Sequence, residues 1–172
     1  MAEDPRDWEI ETKSVRGGMA RSPYGEISEA LYLTQSFAYP SAEAADRRFS
    51  GEDPGFIYQR FGNPTTAVFE ERLALMEGAE QCRATASGMA AVQVALMGLV
   101  KAGDHIVAGR ALFGSCRWIL SNLMPRFGVE TTYVDATDLT AWKNAVRPNT
   151  KAFLVESPAN PLLEVTAIGA VA

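Results

Sequence analysis

Apolar residues recur in short, spaced groups from Pro64 onward, and their spacing predicts an alternation of helices and strands. Four helices are predicted, over residues 64–77, 88–100, 114–124 and 138–146. Four short strands are predicted, over residues 82–86, 105–108, 129–134 and 151–155. Strands that alternate with helices in this way are typical of an α/β fold with a largely parallel sheet.

The ends of the predicted helices carry capping signals. Gly78 can end the first helix in the left-handed conformation, and Thr65 or Thr66 can cap its start. Asp138 is placed to cap the last predicted helix. The segment 88–100 is so rich in Ala, Val, Leu and Met that it predicts a buried helix.

The residues before Pro64 show little periodicity. Their clearest signals are turns, at residues 22–25, 39–40 and 53–55. So long a stretch without regular structure is unusual inside a compact domain. We therefore predict an arm over residues 1–63 that packs on another subunit, and a domain over residues 64–172.

Composition excludes several classes of protein. The chain has 172 residues, 47% of them hydrophobic, and a net charge of -5, which does not predict nucleic-acid binding. No apolar run approaches the roughly 20 residues that span a bilayer, and the polar, acidic N-terminus does not resemble a signal peptide. A cytoplasmic protein is expected. With one histidine and two scattered cysteines, no metal site is expected.

Ser87-Gly88-Met89 stands where a predicted strand passes into a helix. The first N–H groups of a helix lack partners and lie at its positive end, which suits a phosphate group. Gly88 allows a ligand to approach the backbone closely. The alternative is an ordinary capping serine on a core helix, and this motif alone does not decide between them.

Tyr58 and Arg60 are two residues apart in a segment predicted to be extended, so their side chains can lie on one side. A phenol and a guanidinium together suit a phosphate. The alternative is an aromatic residue and a solvated charge in a loop.

Phe113 and Asn160 each follow a predicted strand. Parallel strands end at one edge of the sheet, so Ser87, Phe113 and Ser157 are predicted to converge there. Phe113 can stack on a heteroaromatic ring, and Asn160, held between two prolines, can donate to a ring oxygen. The alternatives are a core phenylalanine and a turn asparagine. Cys116 is interpreted as a packing residue.

Three runs carry a family resemblance, at residues 58–65 (YQRFGNPT), 87–91 (SGMAA) and 156–161 (ESPANP). In this order the chain resembles the Cys/Met-metabolism family of fold-type I enzymes that use pyridoxal 5'-phosphate (PLP), from about Thr12 to Ala172. The resemblance implies the three-layer α/β large domain of that fold type, with a mostly parallel sheet, preceded by an extended N-terminal arm.

The resemblance also implies roles for the cofactor-binding residues. The backbone of Gly88 and Met89, with Ser87 beside them, would hold the cofactor phosphate. Tyr58 and Arg60 would reach the phosphate of the neighbouring subunit's cofactor.

Two further roles concern the cofactor ring. Asn160 would hydrogen-bond the ring oxygen. Phe113 stands where many members have a stacking tyrosine, and it keeps the aromatic face but lacks the hydroxyl.

No catalytic residue is expected in the chain. The family's Schiff-base lysine and the aspartate that pairs with the pyridinium nitrogen would lie beyond Ala172, so the chain resembles the N-terminal part of a longer member. Of the four lysines, Lys151 comes closest in context, but it begins a strand and falls at the wrong edge of the sheet.

The run 112–116 (LFGSC) is most similar to the O-succinylhomoserine sulfhydrylase branch. That branch replaces the succinyl group of O-succinylhomoserine with sulfide, giving homocysteine for methionine biosynthesis. The resemblance implies a homotetramer, a dimer of active dimers. The alternatives are a cystathionine γ-synthase or γ-lyase of the same transsulfuration family, and a non-catalytic truncated fragment or assembly subunit.

Overall fold

The computed structural model describes residues 4–172, so Met1 to Glu3 of the predicted arm lie outside the described residues. The chain forms two compact units, and the boundary between them falls between Ala84 and Thr85.

The first unit contains three α-helices, and two of them lie in the arm that was predicted to lack regular structure. After a 3-10 turn at Pro5–Asp7, the helices are α1 (Ile10–Arg16), α2 (Ala42–Ser50) and α3 (Pro64–Glu77). α2 begins where Ser41 Oγ accepts a hydrogen bond from the N–H of Ala44 (3.1 Å) and ends at Gly51, with φ of 81°. Such short helices span too few turns to give a clear apolar period.

α3 is capped by Asn63, so the prediction of a Thr65 or Thr66 cap was wrong. Asn63 Oδ1 accepts from the N–H of Thr65 (2.8 Å), while its Nδ2 donates to the carbonyl of Tyr32 (2.9 Å). The Thr65 hydroxyl in turn accepts from the N–H of Tyr32 (2.9 Å). Gly78, at φ of 63°, ends the helix as predicted.

A second set of bonds holds α3 to the arm. Arg72 donates through Nε to the carbonyl of Gly17 (3.0 Å), and its guanidinium pairs with Glu29. α3 therefore belongs to the same compact unit as the arm. The functional division of the chain at residue 63, into a clasp and a cofactor domain, remains a prediction.

The second unit is built on a three-stranded parallel sheet. Its elements are α4 (Gly88–Leu99), β1 (His105–Gly109), α5 (Gly114–Trp118), β2 (Glu130–Val134), α6 (Leu139–Ala145), β3 (Thr150–Leu154) and α7 (Ile168–Val171). The strand order is β2-β1-β3, and His105 lies opposite Glu130 on one side and Thr150 on the other. The predicted α/β fold with a parallel sheet is confirmed.

Helices cover both faces of the central strand. Ile106 of β1 is fully buried in a cluster with Leu96 of α4 and Leu120 from the helical run that continues α5. Its neighbour Val107 faces the other way and packs with Trp142 of α6. Alternate residues of β1 thus serve two cores, which gives the predicted three layers.

Two sequence predictions fail between the end of α3 and the start of β1. Residues 82–86 form no strand, since none of residues 4–172 pairs with them in a ladder. α4 buries only Leu96, whereas Val94 and Leu99 remain 62% and 63% exposed. α4 packs mainly against α5 and β3, which leaves much of its surface exposed, so its composition alone overstated its burial.

The helical run after Phe113 passes Pro125, where it was predicted to stop. A π turn over residues 119–123 and a 3-10 turn over residues 124–127 continue it to Gly128, whose φ is 71°. Pro125 stands in the first turn of the 3-10 segment, where a missing N–H costs no hydrogen bond.

His105 joins all three strands at the edge where they begin. Its ring is fully buried, with Nδ1 2.8 Å from Thr150 Oγ1 of β3 and Nε2 2.8 Å from Thr132 Oγ1 of β2. Burial lowers the pKa of His105, and the positive charge of Arg147 lowers it further, against the opposing effect of Glu130. The imidazole is therefore neutral in the folded chain near pH 7.

This burial predicts a loss of stability in mild acid. Below about pH 6.5, the unfolded chain takes up a proton on His105 that the folded chain resists, so the free energy of unfolding falls. Between pH 7.5 and 5.5 this contribution amounts to at most about 1.4 kcal/mol. Urea unfolding at the two pH values should show a smaller change for His105→Phe than for the unaltered chain.

Two valine variants control for the loss of packing. Thr132→Val removes the bond to the ring and a second bond from Arg147 but leaves the ring titratable, so it should cost about 2 kcal/mol and retain the pH dependence. Thr131→Val should retain the pH dependence and should not lower the free energy of unfolding, because within residues 4–172 the buried Thr131 hydroxyl has no partner whose bond would be lost. An equal pH dependence in His105→Phe and the unaltered chain would contradict this account.

Candidate functional site

The start of α4 is shaped by two hydroxyl groups. The Thr85 hydroxyl donates to the carbonyl of Ser87 (2.8 Å), which holds the turn before the helix. Ser87 Oγ accepts from the N–H of Ala90 (3.2 Å), so Ser87 is the N-cap. The capping interpretation of Ser87 is therefore correct, and it leaves the two preceding donors of the helix available.

Those donors are the N–H groups of Gly88 and Met89, and neither has a hydrogen-bond partner within residues 4–172. A Cβ placed on Gly88 would meet no atom within 4 Å, and the φ of Gly88 is not positive. Neither packing nor conformation in this chain therefore requires a glycine. Open space beside two free donors at a positive helix end fits an anionic group that approaches the backbone.

A groove of about 430 Å³ adjoins this helix start. α4 forms one wall and the helical run of α5 the other. Its lining residues are mostly apolar: Ser87, Met89, Ala90, Gln93, Ser115, Trp118, Ile119 and Leu123. The groove brings Ser87 together with Ser115, which is two residues from Phe113, but Phe113 and Ser157 do not line it. The convergence of Ser87, Phe113 and Ser157 stays a prediction.

Phe113 is 44% exposed, so in this chain it is not a core residue. It directly precedes α5, and its N–H donates to Glu156 Oε2 at 2.7 Å. The hydrogen bond thus holds the backbone of Phe113, while the aromatic ring remains available for contact.

Asn160 is held by the same carboxylate. Its N–H donates to Glu156 Oε1 at 2.7 Å, and its exposed side-chain amide makes no hydrogen bond within the described part of the chain. The Ser157 hydroxyl, by contrast, accepts a hydrogen bond from the N–H of Thr166 (3.0 Å) and donates one to the carbonyl of Thr166 (3.2 Å). Glu156 is the residue that sequence reasoning missed. The available signal was an acidic side chain directly after a predicted strand.

Tyr58 and Arg60 lie in the first compact unit. The guanidinium carbon of Arg60 is 4.9 Å from the centre of the Tyr58 ring. The segment is not extended as predicted, because the N–H groups of Phe61 and Gly62 both bond the carbonyl of Tyr58 and form a turn. The two side chains nevertheless lie side by side, and no carboxylate among residues 4–172 pairs with Arg60.

Cys116 and Lys151 carry the two other side chains whose chemistry could make them reactive. Burial raises the pKa of the Cys116 thiol, and the negative charge of Glu156 raises it further, so the thiol is protonated and a poor nucleophile. Lys151 is the second residue of β3 and lies at the edge where the strands begin, whereas Glu156 and Asn160 follow the other end of that strand.

Residues 4–172 hold no group of three or more His, Cys, Asp or Glu side chains placed to bind a metal ion. In that same range, every helix is too short or too polar to span a membrane.

Known proteins match the chain over almost its whole length. Residues 11–172 match the family described as Cys/Met metabolism PLP-dependent enzyme. An O-succinylhomoserine sulfhydrylase of Mycobacterium tuberculosis is 50% identical over 160 residues, which cover 93% of this chain and 39% of that protein. An L-methionine gamma-lyase of Treponema denticola is 44% identical over 160 residues, covering 93% of this chain and 40% of that protein.

A solved structure agrees with the fold. The crystal structure of metB from Corynebacterium glutamicum has a TM-score of 0.88 and 35% sequence identity, over 98% of this chain and 42% of that one. The chain therefore spans about two fifths of the length of the relatives it matches.

Proposed function

We propose, on the premise that this chain belongs to the Cys/Met metabolism PLP-dependent enzymes, that it supplies the phosphate-binding part of a PLP site. The observation that carries the proposal is the pair of unpartnered N–H groups at Gly88 and Met89. Two donors at a helix N-terminus, with no side chain on the first residue, suit a phosphate dianion.

Other residues of the second unit are suited to the cofactor ring. When bound, PLP supplies an electron sink for the substrate's reacting carbons. The exposed Phe113 side chain offers an aromatic face for stacking, and the free amide of Asn160 offers a donor for a ring oxygen. We assign the lysine that holds PLP covalently to none of these 172 residues: Lys151 comes closest to the family's sequence context among the four lysines, and it lies at the opposite edge of the sheet from Asn160.

The reaction that we propose for the protein that carries this chain is sulfide replacement. O-succinylhomoserine would lose succinate at its γ-carbon, sulfide would take its place, and homocysteine would enter methionine biosynthesis in the cytoplasm. Two observations support it: the 50% identity to the Mycobacterium tuberculosis sulfhydrylase, and a phenylalanine at position 113. A phenyl ring can stack but cannot transfer a proton beside the leaving group, which disfavours elimination.

The arm is assigned to a neighbouring subunit's site. Arg60 presents a positive charge stacked on the Tyr58 phenol, with no carboxylate of residues 4–172 to neutralise it. Such a pair suits a phosphate. We propose that each active dimer contains two sites of this kind and that two dimers form a homotetramer.

A second candidate is a γ-lyase, which the 44% identity to the Treponema denticola enzyme favours. The two activities differ in product. A sulfhydrylase makes homocysteine from O-succinylhomoserine and sulfide, whereas a γ-lyase releases 2-oxobutyrate and a thiol from methionine.

Product analysis tests the proposed reaction. The protein that carries this chain is incubated with PLP and either O-succinylhomoserine plus sulfide or methionine alone. We expect homocysteine and succinate from the first mixture, and little 2-oxobutyrate from either. Mostly 2-oxobutyrate would support the lyase instead, and PLP binding without any product would support a non-catalytic assembly subunit.

Mixed subunits test the shared site. Arg60→Ala and Gly88→Ala should each weaken PLP binding by about tenfold or more, since each disturbs a charged hydrogen-bond partner. In a hybrid dimer one site receives both intact residues and the other receives neither. At a PLP concentration that fills unaltered sites and leaves the variant sites largely empty, an equal mixture should therefore regain about one quarter of the unaltered activity in a two-fold symmetric dimer.

Gly98→Ala is the matched control for Gly88→Ala. Gly98 lies in the same helix, and a Cβ there also meets nothing within 4 Å. This variant should keep both PLP affinity and activity. Hybrids that form, as shown by differently tagged chains, but regain no activity would count against the shared site.

A further inference from the structure

The carboxylate of Glu156 accepts two backbone hydrogen bonds, one from its own loop and one from a distant part of the second unit. Oε2 accepts from the N–H of Phe113 and Oε1 from the N–H of Asn160, both at 2.7 Å. Phe113 is 43 residues from Glu156 in sequence, in the connection that follows β1. One side chain therefore joins the connections that leave two neighbouring strands.

The two hydrogen bonds to Glu156 do not involve the side chain of Phe113 or that of Asn160. They engage only backbone N–H groups, so the ring of Phe113 and the side-chain amide of Asn160 remain available to a ligand. The acceptor is a carboxylate, and hydrogen bonds to a charged acceptor are stronger than neutral ones. Its charge also lies at the start of the helical run that begins with α5, where negative charge is favoured.

A side chain that binds both N–H groups at once must carry two acceptor atoms. An ionised carboxylate offers an acceptor to each N–H. A glutamine of the same length offers only one, and its amide NH₂ would face the second N–H. Replacing the carboxylate with an amide therefore breaks one side of the connection while changing the side-chain volume very little.

We propose that Glu156 is a positioning residue that sets the separation between the Phe113 ring and the Asn160 amide, and thereby the placement of the PLP ring between them. The inference rests on the proposed PLP site. It assigns Glu156 no contact with cofactor or substrate, since both of its oxygens are already engaged by backbone N–H groups.

The test uses the protein that carries this chain, with PLP as the probe. Glu156→Gln should weaken PLP binding by about tenfold, the scale of one hydrogen bond to a charged group. It should also change the visible circular dichroism of bound PLP, because the ring is held in a different orientation. Glu164→Gln is the matched control: Glu164 is half-buried in the same loop, and its side chain makes no hydrogen bond within residues 4–172.

A double-mutant cycle separates positioning from general stabilisation. If Glu156 acts through Asn160, then Asn160→Ala should weaken PLP binding much less in the Glu156→Gln background than in the unaltered protein. Amide hydrogen exchange without PLP should be faster at Phe113 or Asn160 in Glu156→Gln and unchanged in Glu164→Gln.

The outcomes distinguish this inference from the proposed function. Additive effects of the two substitutions, or an unchanged dichroism spectrum, would overturn the positioning role and leave the PLP site intact. Failure of the unaltered protein to bind PLP would overturn the proposed function and this inference with it. Non-additive binding with an altered spectrum would support both.

Discussion

The parallel register of β1 and β3 is the constraint on which the candidate site depends. His105 lies opposite Thr150 where the strands begin, and Ala108 lies opposite Leu154 where they end. Because both strands run in one direction, the chain leaves them at the same edge. Glu156 follows that end of β3 by two residues and can therefore reach the connection after β1. An antiparallel pairing would place the two connections at opposite edges and leave the carboxylate without its second donor.

Much of this arrangement could be predicted from local sequence. The strands around His105, Thr131 and Phe153 are short apolar or β-branched runs, and each is separated from the next by a helical pattern. The cap at Asp138 and the stop at Gly78 follow from side-chain chemistry that acts within three or four residues. The start of α4 can be predicted in the same local way, because a serine that caps a helix indicates that the first N–H groups beside it lack partners.

The features that could not be predicted depend on residues far apart in the chain. Asn63, rather than Thr65, caps α3 because its amide also bonds Tyr32, about thirty residues earlier. Glu156 can reach Asn160 within its own loop, but it acquires Phe113 as a second donor only when two strands pair. The burial of α4 depends on what covers it, and its apolar composition cannot show that Leu96 is buried while Val94 is not.

The central claim is that the backbone of Gly88 and Met89 binds the cofactor phosphate. The most direct measurement compares the dissociation constants of PLP and of pyridoxal, which lacks the phosphate, in the protein that carries this chain. The dissociation constant of pyridoxal divided by that of PLP isolates the phosphate contribution. The account predicts that Gly88→Ala reduces this ratio by about tenfold or more, the scale of a lost charged hydrogen bond. A ratio that is unchanged by Gly88→Ala would contradict the claim that this backbone binds the phosphate.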